Sequence, residues 1–101
     1  DLGCMRYEFT TDVWRWDGGA AASWWFATVP ADMSAGLKAM RGKARGWGSV
    51  RVRAETGGVS WRTSLFPSRE GVFLLPVKAE VRRQAGVTPG EPRRFVVELE
   101  V

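Results

Sequence analysis

The chain has 101 residues, of which 45% are hydrophobic, so it is long and apolar enough for one domain with a single packed core. It contains no histidine and one cysteine, which removes the commonest general base and metal ligand and excludes an internal disulfide. The net charge of +4 favours anionic partners but is too small to indicate nucleic acid by itself.

The carboxylates give no sign of an enzyme. No spacing of Asp and Glu resembles a metal cage or an acid–base pair, and neither glycine-rich phosphate-binding motif occurs. We therefore expect a protein that is not an enzyme, with no catalytic residues, metal or cofactor. The lone Cys4, without a signal peptide or a long apolar run, predicts a cytoplasmic protein that makes no membrane contact.

The N-terminal part of the chain has the patterns of two strands. In residues 6–13 apolar and polar side chains alternate, as in a half-buried strand, until the parity breaks at Trp14, which indicates either a bulge or a strand covered on both faces. Asp17-Gly18-Gly19 indicates a turn, and residues 23–30 a second strand covered on both faces. We expect four tryptophans to fill a small barrel: Trp14, Trp24, Trp25 and Trp61.

A short helix and a basic loop come next. Residues 30–41 predict a helix, because Pro30 suits a first turn and three apolar residues recur at helical spacing: Met33, Leu37 and Met40. Residues 41–48 are basic and glycine-rich, which is typical of an exposed loop. Trp47 in this loop is expected either to form a lid or to pack over the barrel mouth.

Residues 50–65 predict a β-hairpin around Gly57-Gly58, a favoured two-residue turn. This turn places Thr56 opposite Val59, and counting outward puts one set of side chains toward the core: Val50, Val52, Ala54, Trp61, Thr63 and Leu65. The other face receives Arg51, Arg53, Glu55, Ser60, Arg62 and Ser64. Arg53 and Arg62 are then directly opposite, a like-charge pair that we expect Glu55 to offset in part.

The remaining segments complete a mostly β fold. Residues 71–78 indicate a fifth strand, residues 77–86 a helix that ends at Gly86, and residues 93–101 a sixth strand. Thr88-Pro89-Gly90 favours a type II turn. We expect one domain over residues 1–101, with residues 1–5 disordered or not native: a small antiparallel or mixed β-barrel of about six strands and two short helices.

Several short motifs resemble a bacterial family of unknown function that occurs alone or fused to YdeI/OmpD-associated (bacteriocin-protection) segments. The resemblance rests on Trp61–Pro67 (WRTSLFP), on Leu75–Lys78 (LPVK), and on a W-x-F-x-x-V-P pattern matched by residues 24–30. It implies a double-split β-barrel related to the AbrB and MazE group, whose proline-containing segment is similar to residues 76–91. The chain departs from the family pattern at Arg51 and at residues 91–94.

This resemblance also bears on oligomeric state and partners. AbrB-like proteins are swapped dimers that bind DNA, whereas two half-barrels in one chain imply a monomer or a weak homodimer. The bacteriocin-protection segments imply a role in resistance, in which the domain sequesters a toxic compound. A fold analogy alone does not transfer DNA binding.

The predicted ligand site combines cations, hydroxyls and indole rings, which together suit an anionic or aromatic small molecule or a peptide. Its residues are Trp47, Arg51, Arg53, Trp61, Arg62, Ser64 and Lys78. Three alternatives stay open: a solvated outer face without a ligand, an AbrB-like nucleic-acid-binding regulator, and a protein interaction module with an exposed apolar patch.

Overall fold

The computed structural model of the protein describes residues 6–17, 23–41 and 48–100. Four of the sequence predictions fall wholly or partly outside these residues. They concern residues 1–5, the Asp-Gly-Gly turn, the basic loop with Trp47, and Val101. In chain order the elements are β1 (Arg6–Thr11), β2 (Val13–Asp17), β3 (Ser23–Thr28), α1 (Ala31–Arg41), β4 (Val50–Thr56), β5 (Val59–Pro67), β6 (Phe73–Pro76), α2 (Ala79–Ala85) and β7 (Arg93–Leu99).

The strands form a curled antiparallel half-barrel in the order β1-β7-β4-β5-β6-β3-β2. The prediction of a mostly β fold with two short helices is confirmed. The prediction of about six strands is wrong, because the first predicted strand divides at Asp12 into two that have different partners. β1 pairs with β7 at one edge of the sheet, and β2 pairs with β3 at the other. The parity break at Trp14 reflects this change of partner.

The predicted hairpin register is confirmed at every position from the turn outward, including Thr56 opposite Val59 and Arg53 opposite Arg62. Gly57 and Gly58 have φ angles of 56° and 83°, which are values that glycine adopts without the steric cost of a Cβ atom. The turn therefore fixes which side chains of β4 and β5 face the interior.

The concave side of the sheet holds the core, to which every strand contributes at least one buried side chain. Phe9 of β1 and Phe95 of β7 stack with their ring centroids 5.9 Å apart. Helix α1 adds the fully buried Leu37. Its buried Ser34 Oγ donates a hydrogen bond to the Val29 carbonyl and accepts one from the Phe73 amide, so the helix is attached to the start of β6.

The end of the second helix and the turn after it agree with the sequence predictions, whereas the helix begins at Ala79 and not at residue 77. Gly86 ends α2 with a φ of 69°, and the Val87 amide donates to the Arg82 carbonyl over 2.9 Å. Gly90 has a φ of 86°, as a type II turn requires at its third residue. None of the helices within the described ranges is long and apolar enough to cross a membrane.

The prediction for the tryptophans is correct for Trp61 and wrong for Trp24. Trp61 is 8% exposed, whereas Trp24 is 48% exposed. Trp14 and Trp25 are half-buried, and Trp14 Nε1 donates a 2.8 Å hydrogen bond to Thr28 Oγ1. The difference arises because Trp24 projects from the convex side of β3. The prediction that this strand is covered on both faces is therefore wrong.

Candidate ligand-binding groove

A groove with a volume of 590 Å³ lies between β5 and α2. We call it the β5–α2 groove; it is lined by Trp24, Trp25, Trp61, Arg62, Thr63, Ser64, Phe66, Pro76, Val77, Lys78, Ala79 and Arg82. A cavity of this size is within the range found for small-molecule sites.

The groove exists because β5 loses its partner on one side. β5 pairs with β4 from Val59 to Leu65, but with β6 only at Phe66 and Pro67. After Pro76 the chain leaves the sheet and enters α2, which ends beside the hairpin turn, where Ala85 is close to Gly57. The helix thus takes the place of a strand and leaves space beside the edge of β5.

Aromatic rings form much of the groove wall. The Arg82 guanidinium carbon lies 4.7 Å from the centroid of the Trp25 ring, a cation–π contact, and Arg82 Nε donates a 3.2 Å hydrogen bond to the Val77 carbonyl. Partial burial lowers the pKa of Arg82 from its usual value. Trp61 Nε1 is buried and has no hydrogen-bond partner within the described chain, so the wall contains an unused donor.

The charged residues among the described lining of the groove are all cations: Arg62, Lys78 and Arg82. None of the lining residues in the described ranges is acidic, although Glu100 reaches Arg62 from the neighbouring face and accepts a 2.8 Å hydrogen bond from its Nε. An anion in the groove would therefore meet guanidinium and ammonium groups beside an apolar wall.

The predicted site is divided by the structure. Trp61, Arg62, Ser64 and Lys78 come together in the β5–α2 groove. Arg53 lies on the adjoining convex surface, in a cavity of 520 Å³ next to Arg62, Glu98 and Glu100. Arg51 lies outside both cavities, with its Nε 3.9 Å from Glu100, and Trp47 is outside the described residues. That the grouped residues bind a ligand stays a prediction.

The predicted arginine face is a mixed surface of arginine and glutamate. The counter-charge beside Arg62 is Glu100, whereas the Glu55 carboxylate accepts a 3.0 Å hydrogen bond from the Gly58 amide. The expectation that Glu55 offsets the arginine pair is thus wrong. The physical reason is that β7, on the other side of β4, supplies carboxylates to the same face: Glu98 is opposite Arg53, and the Glu100 amide bonds to the Arg51 carbonyl.

Further along this face, β1 contributes a second ionic group. Glu8 contacts Arg94 at 2.7 Å and Arg6 at 2.8 Å. The hydrogen bond from Arg94, with a further one from Arg6, holds the pKa of the Glu8 carboxyl below its usual value, and Glu8 raises the pKa of Arg94. This face therefore carries arginine–glutamate pairs, and its free positive charge is correspondingly small.

The sequence prediction missed four aromatic or charged residues of the groove: Trp24, Trp25, Phe66 and Arg82. Lys78 and Arg82 are four residues apart at a helix start, which places them on one helix face, so this spacing could have indicated Arg82. The aromatic residues had no such signal, because their position depends on how β3 and β6 lie against β5.

A second apolar surface adjoins the groove on the convex side of β2, β3, β5 and β6. We call it the aromatic face, and it is lined by Trp16, Trp24, Phe26, Phe66 and Leu74. Three of these side chains are widely exposed: Trp16 at 49%, Trp24 at 48% and Phe66 at 42%. Trp24 and Phe26 stack with their rings 10° from parallel.

The described ranges contain no group of three or more Cys, Asp or Glu residues arranged to hold a metal ion. No curated protein matches the chain. A family described as a domain of unknown function, DUF1905, matches residues 9–97, which include every strand that borders the groove. Because the match covers most of the sequence, the chain belongs to the DUF1905 family.

Proposed function

We propose that this domain is a non-enzymatic binding module that holds an anionic ligand with an apolar or aromatic part in the β5–α2 groove. The observation that carries the proposal is the combination, in one groove, of an aromatic wall with Arg62, Lys78 and Arg82, and with no acidic residue in the part of its lining that the structure describes. Aromatic and apolar surface supplies affinity, and a few fixed polar groups supply orientation.

The individual groups have complementary roles in this proposal. Arg62 and Lys78 are exposed and can reach an anion without a large change in the fold. Arg82 is held by Trp25 and the Val77 carbonyl, so its charge is positioned before a ligand arrives. The unpartnered Trp61 Nε1 gives a ligand acceptor a hydrogen-bond donor after a small local movement.

The test is a titration with the probe 1-anilinonaphthalene-8-sulfonate, which is both anionic and aromatic, followed by its own fluorescence and that of tryptophan. We expect Lys78→Gln to weaken binding about threefold to tenfold, because one charge-assisted contact is lost. Arg83→Gln is the matched control, since Arg83 is an exposed cation on α2 that does not line the groove. Equal binding by wild type and both variants would contradict the proposal.

A role in resistance, in which a cytoplasmic protein sequesters a toxic compound, is the physiological form of this proposal. Its support is the motif resemblance to proteins that occur with bacteriocin-protection segments. The related proposal for the fold is that this half-barrel is a single-chain variant of the double-split barrel of the AbrB and MazE group. The role in resistance is tested by co-purification of the domain with such segments. The proposed fold relationship is tested by a structural superposition on AbrB-like dimers.

The aromatic face supports a second candidate function, a protein interaction module. Exposed, contiguous apolar side chains are uncommon on monomeric domains and often mark an interface. If this face mediates self-association, sedimentation equilibrium will detect a weak homodimer that Trp16→Ser disrupts. If the domain stays monomeric at all concentrations, the aromatic face does not mediate self-association.

Nucleic-acid binding is the remaining candidate, and it has less support than the other two. The paired arginines and glutamates on the convex face leave less free positive charge for phosphate contacts. If the domain binds duplex DNA, retention will fall steeply between about 50 and about 200 mM salt. Tight, salt-sensitive retention without any binding of the naphthalene probe would reverse our order of candidates.

A further inference from the structure

The edge of β5 that borders the β5–α2 groove has main-chain groups without a strand partner. In the described chain, β5 pairs with β6 only at Phe66 and Pro67, so the segment 60–64 is an edge on that side. Most proteins cover or charge such an edge, because unpaired N–H and C=O groups readily accept another strand.

The direction of these main-chain groups follows from the hydrogen bonds between β4 and β7, on the other side of β4. The Glu100 amide donates to the Arg51 carbonyl over 3.0 Å, so the main chain of Arg51 points away from β5 and toward β7. Opposite residues of an antiparallel pair either bond to each other or both point outward. Ser64, which is opposite Arg51, therefore directs its N–H and C=O away from β4, toward the groove. Arg62, two residues earlier, has the same direction.

The side chains around this edge differ between the two faces. Arg62 lies on the convex side, with Lys78 across the groove, whereas Trp61 and Thr63 belong to the concave side. The side chains of a strand added at this edge would alternate between the convex and the concave side in the same way. Residues opposite Arg62 would be favoured as carboxylates, and their neighbours would be favoured as apolar residues against Trp61.

We infer that the ligand of the β5–α2 groove is an extended peptide that adds antiparallel to the edge of β5, with a carboxylate side chain opposite Arg62. This inference rests on the proposed function and names its ligand class. The argument for a peptide is the row of main-chain donors and acceptors at Arg62 and Ser64, which a compact anion would leave unused. The argument for an acidic peptide is that none of the groove-lining residues described in the structure carries a carboxylate. Strand addition combines main-chain affinity with side-chain selectivity in this way.

The test uses the peptide acetyl-Val-Glu-Val-Glu-Val-amide and two N-methylated forms of it, titrated into the full chain. In antiparallel addition the glutamates opposite Arg62 and Ser64 direct their amides to β5, and the central valine directs its amide away. We therefore expect methylation of one glutamate amide to weaken binding about tenfold or more, because a hydrogen bond is lost and a methyl group enters the strand interface. Methylation of the central valine amide is the matched control, with an expected change of less than about twofold.

Two further measurements separate this inference from the proposed function. Amide chemical shifts of Arg62 and Ser64 should move on addition of the parent peptide and move less at the same concentration of the peptide methylated at glutamate. If the naphthalene probe binds through Lys78 but the parent peptide does not bind, or if both methylated peptides bind equally, strand addition is wrong and the groove remains a site for compact anions. If neither the probe nor the peptide binds, the proposed function fails as well.

Discussion

Arg93 attaches the C-terminus of α2 to the hairpin, and its removal is the most direct test of how the groove wall is held. Its Nη2 donates to the Ala85 carbonyl over 2.6 Å, its Nη1 to the Gly86 carbonyl over 3.0 Å, and its Nε to Thr56 Oγ1 over 3.1 Å. Thr56 is buried, and its Oγ1 in turn donates a hydrogen bond to the Arg94 carbonyl over 2.8 Å. One guanidinium thus joins the end of α2, the end of β4 and the start of β7.

We expect Arg93→Met to lower the free energy of unfolding by about 3–4 kcal/mol. Hydrogen bonds to charged groups contribute about 1.5–3 kcal/mol when well shielded, but water can replace the donor at the carbonyls of Ala85 and Gly86, so about 1 kcal/mol for each of the three bonds is appropriate. The lost cation at a helix C-terminus adds about 0.3–1 kcal/mol. Methionine keeps a long apolar side chain, so packing changes little.

The assay is urea unfolding followed by tryptophan fluorescence, with Arg94→Met as the matched control. Arg94 is the next residue along β7, but its guanidinium pairs with Glu8 at the surface, where water screens the interaction, so a smaller loss is expected. Amide hydrogen exchange at Val87, which bonds to the Arg82 carbonyl, should accelerate in Arg93→Met alone. Equal destabilisation by the two variants, or a loss below about 1 kcal/mol for Arg93→Met, would refute the reasoning.

Three other predictions concern the turn, the ionic surface and the groove. Gly57→Ala should have a free energy of unfolding about 1 kcal/mol below that of Gly58→Ala, and therefore a lower urea midpoint. Both glycines have positive φ, but only a Cβ on Gly57 would lie 2.7 Å from a guanidinium nitrogen, so equal midpoints would contradict this. The pKa of Glu8 is lowered below 4.5 in the folded state, so its stabilising effect is present above that pH and is lost as the pH falls below it. Unfolding measured from about pH 3 to 7 should therefore show a flatter acid limb for Glu8→Gln than for wild type. Glu100→Gln should raise affinity for the naphthalene probe about twofold to fivefold by releasing Arg62, and weaker binding would count against an anion site.

Local sequence patterns were sufficient for those parts of the fold whose contacts are close along the chain. The Gly57-Gly58 turn and the alternation around it set the register of β4 and β5, because a two-residue turn leaves one pairing. The end of α2 at Gly86 and the turn at Gly90 follow equally from residues that adopt positive φ. These predictions needed no knowledge of the rest of the protein.

Side-chain periodicity, however, indicates which face a residue occupies and not which strand lies beside it. For this reason the division of the first strand at Asp12, and the placement of β1 and β2 at opposite edges, were not predictable. The same limit applies to charge. Glu100 is 38 residues from Arg62 in sequence and contacts it only because β7 lies next to β4.

The sequence by itself determined that the domain is mostly β, that its hairpin has an apolar and an arginine side, and that Trp61 is buried. Only the tertiary structure decided that Arg62, Ser64 and Lys78 share a groove with Trp25 and Arg82, and that Arg51 and Arg53 do not line it. The physical reason is that the groove results from the departure of β6 from the edge of β5 and the return of α2 beside it. That arrangement is set by long-range packing, which no local pattern encodes.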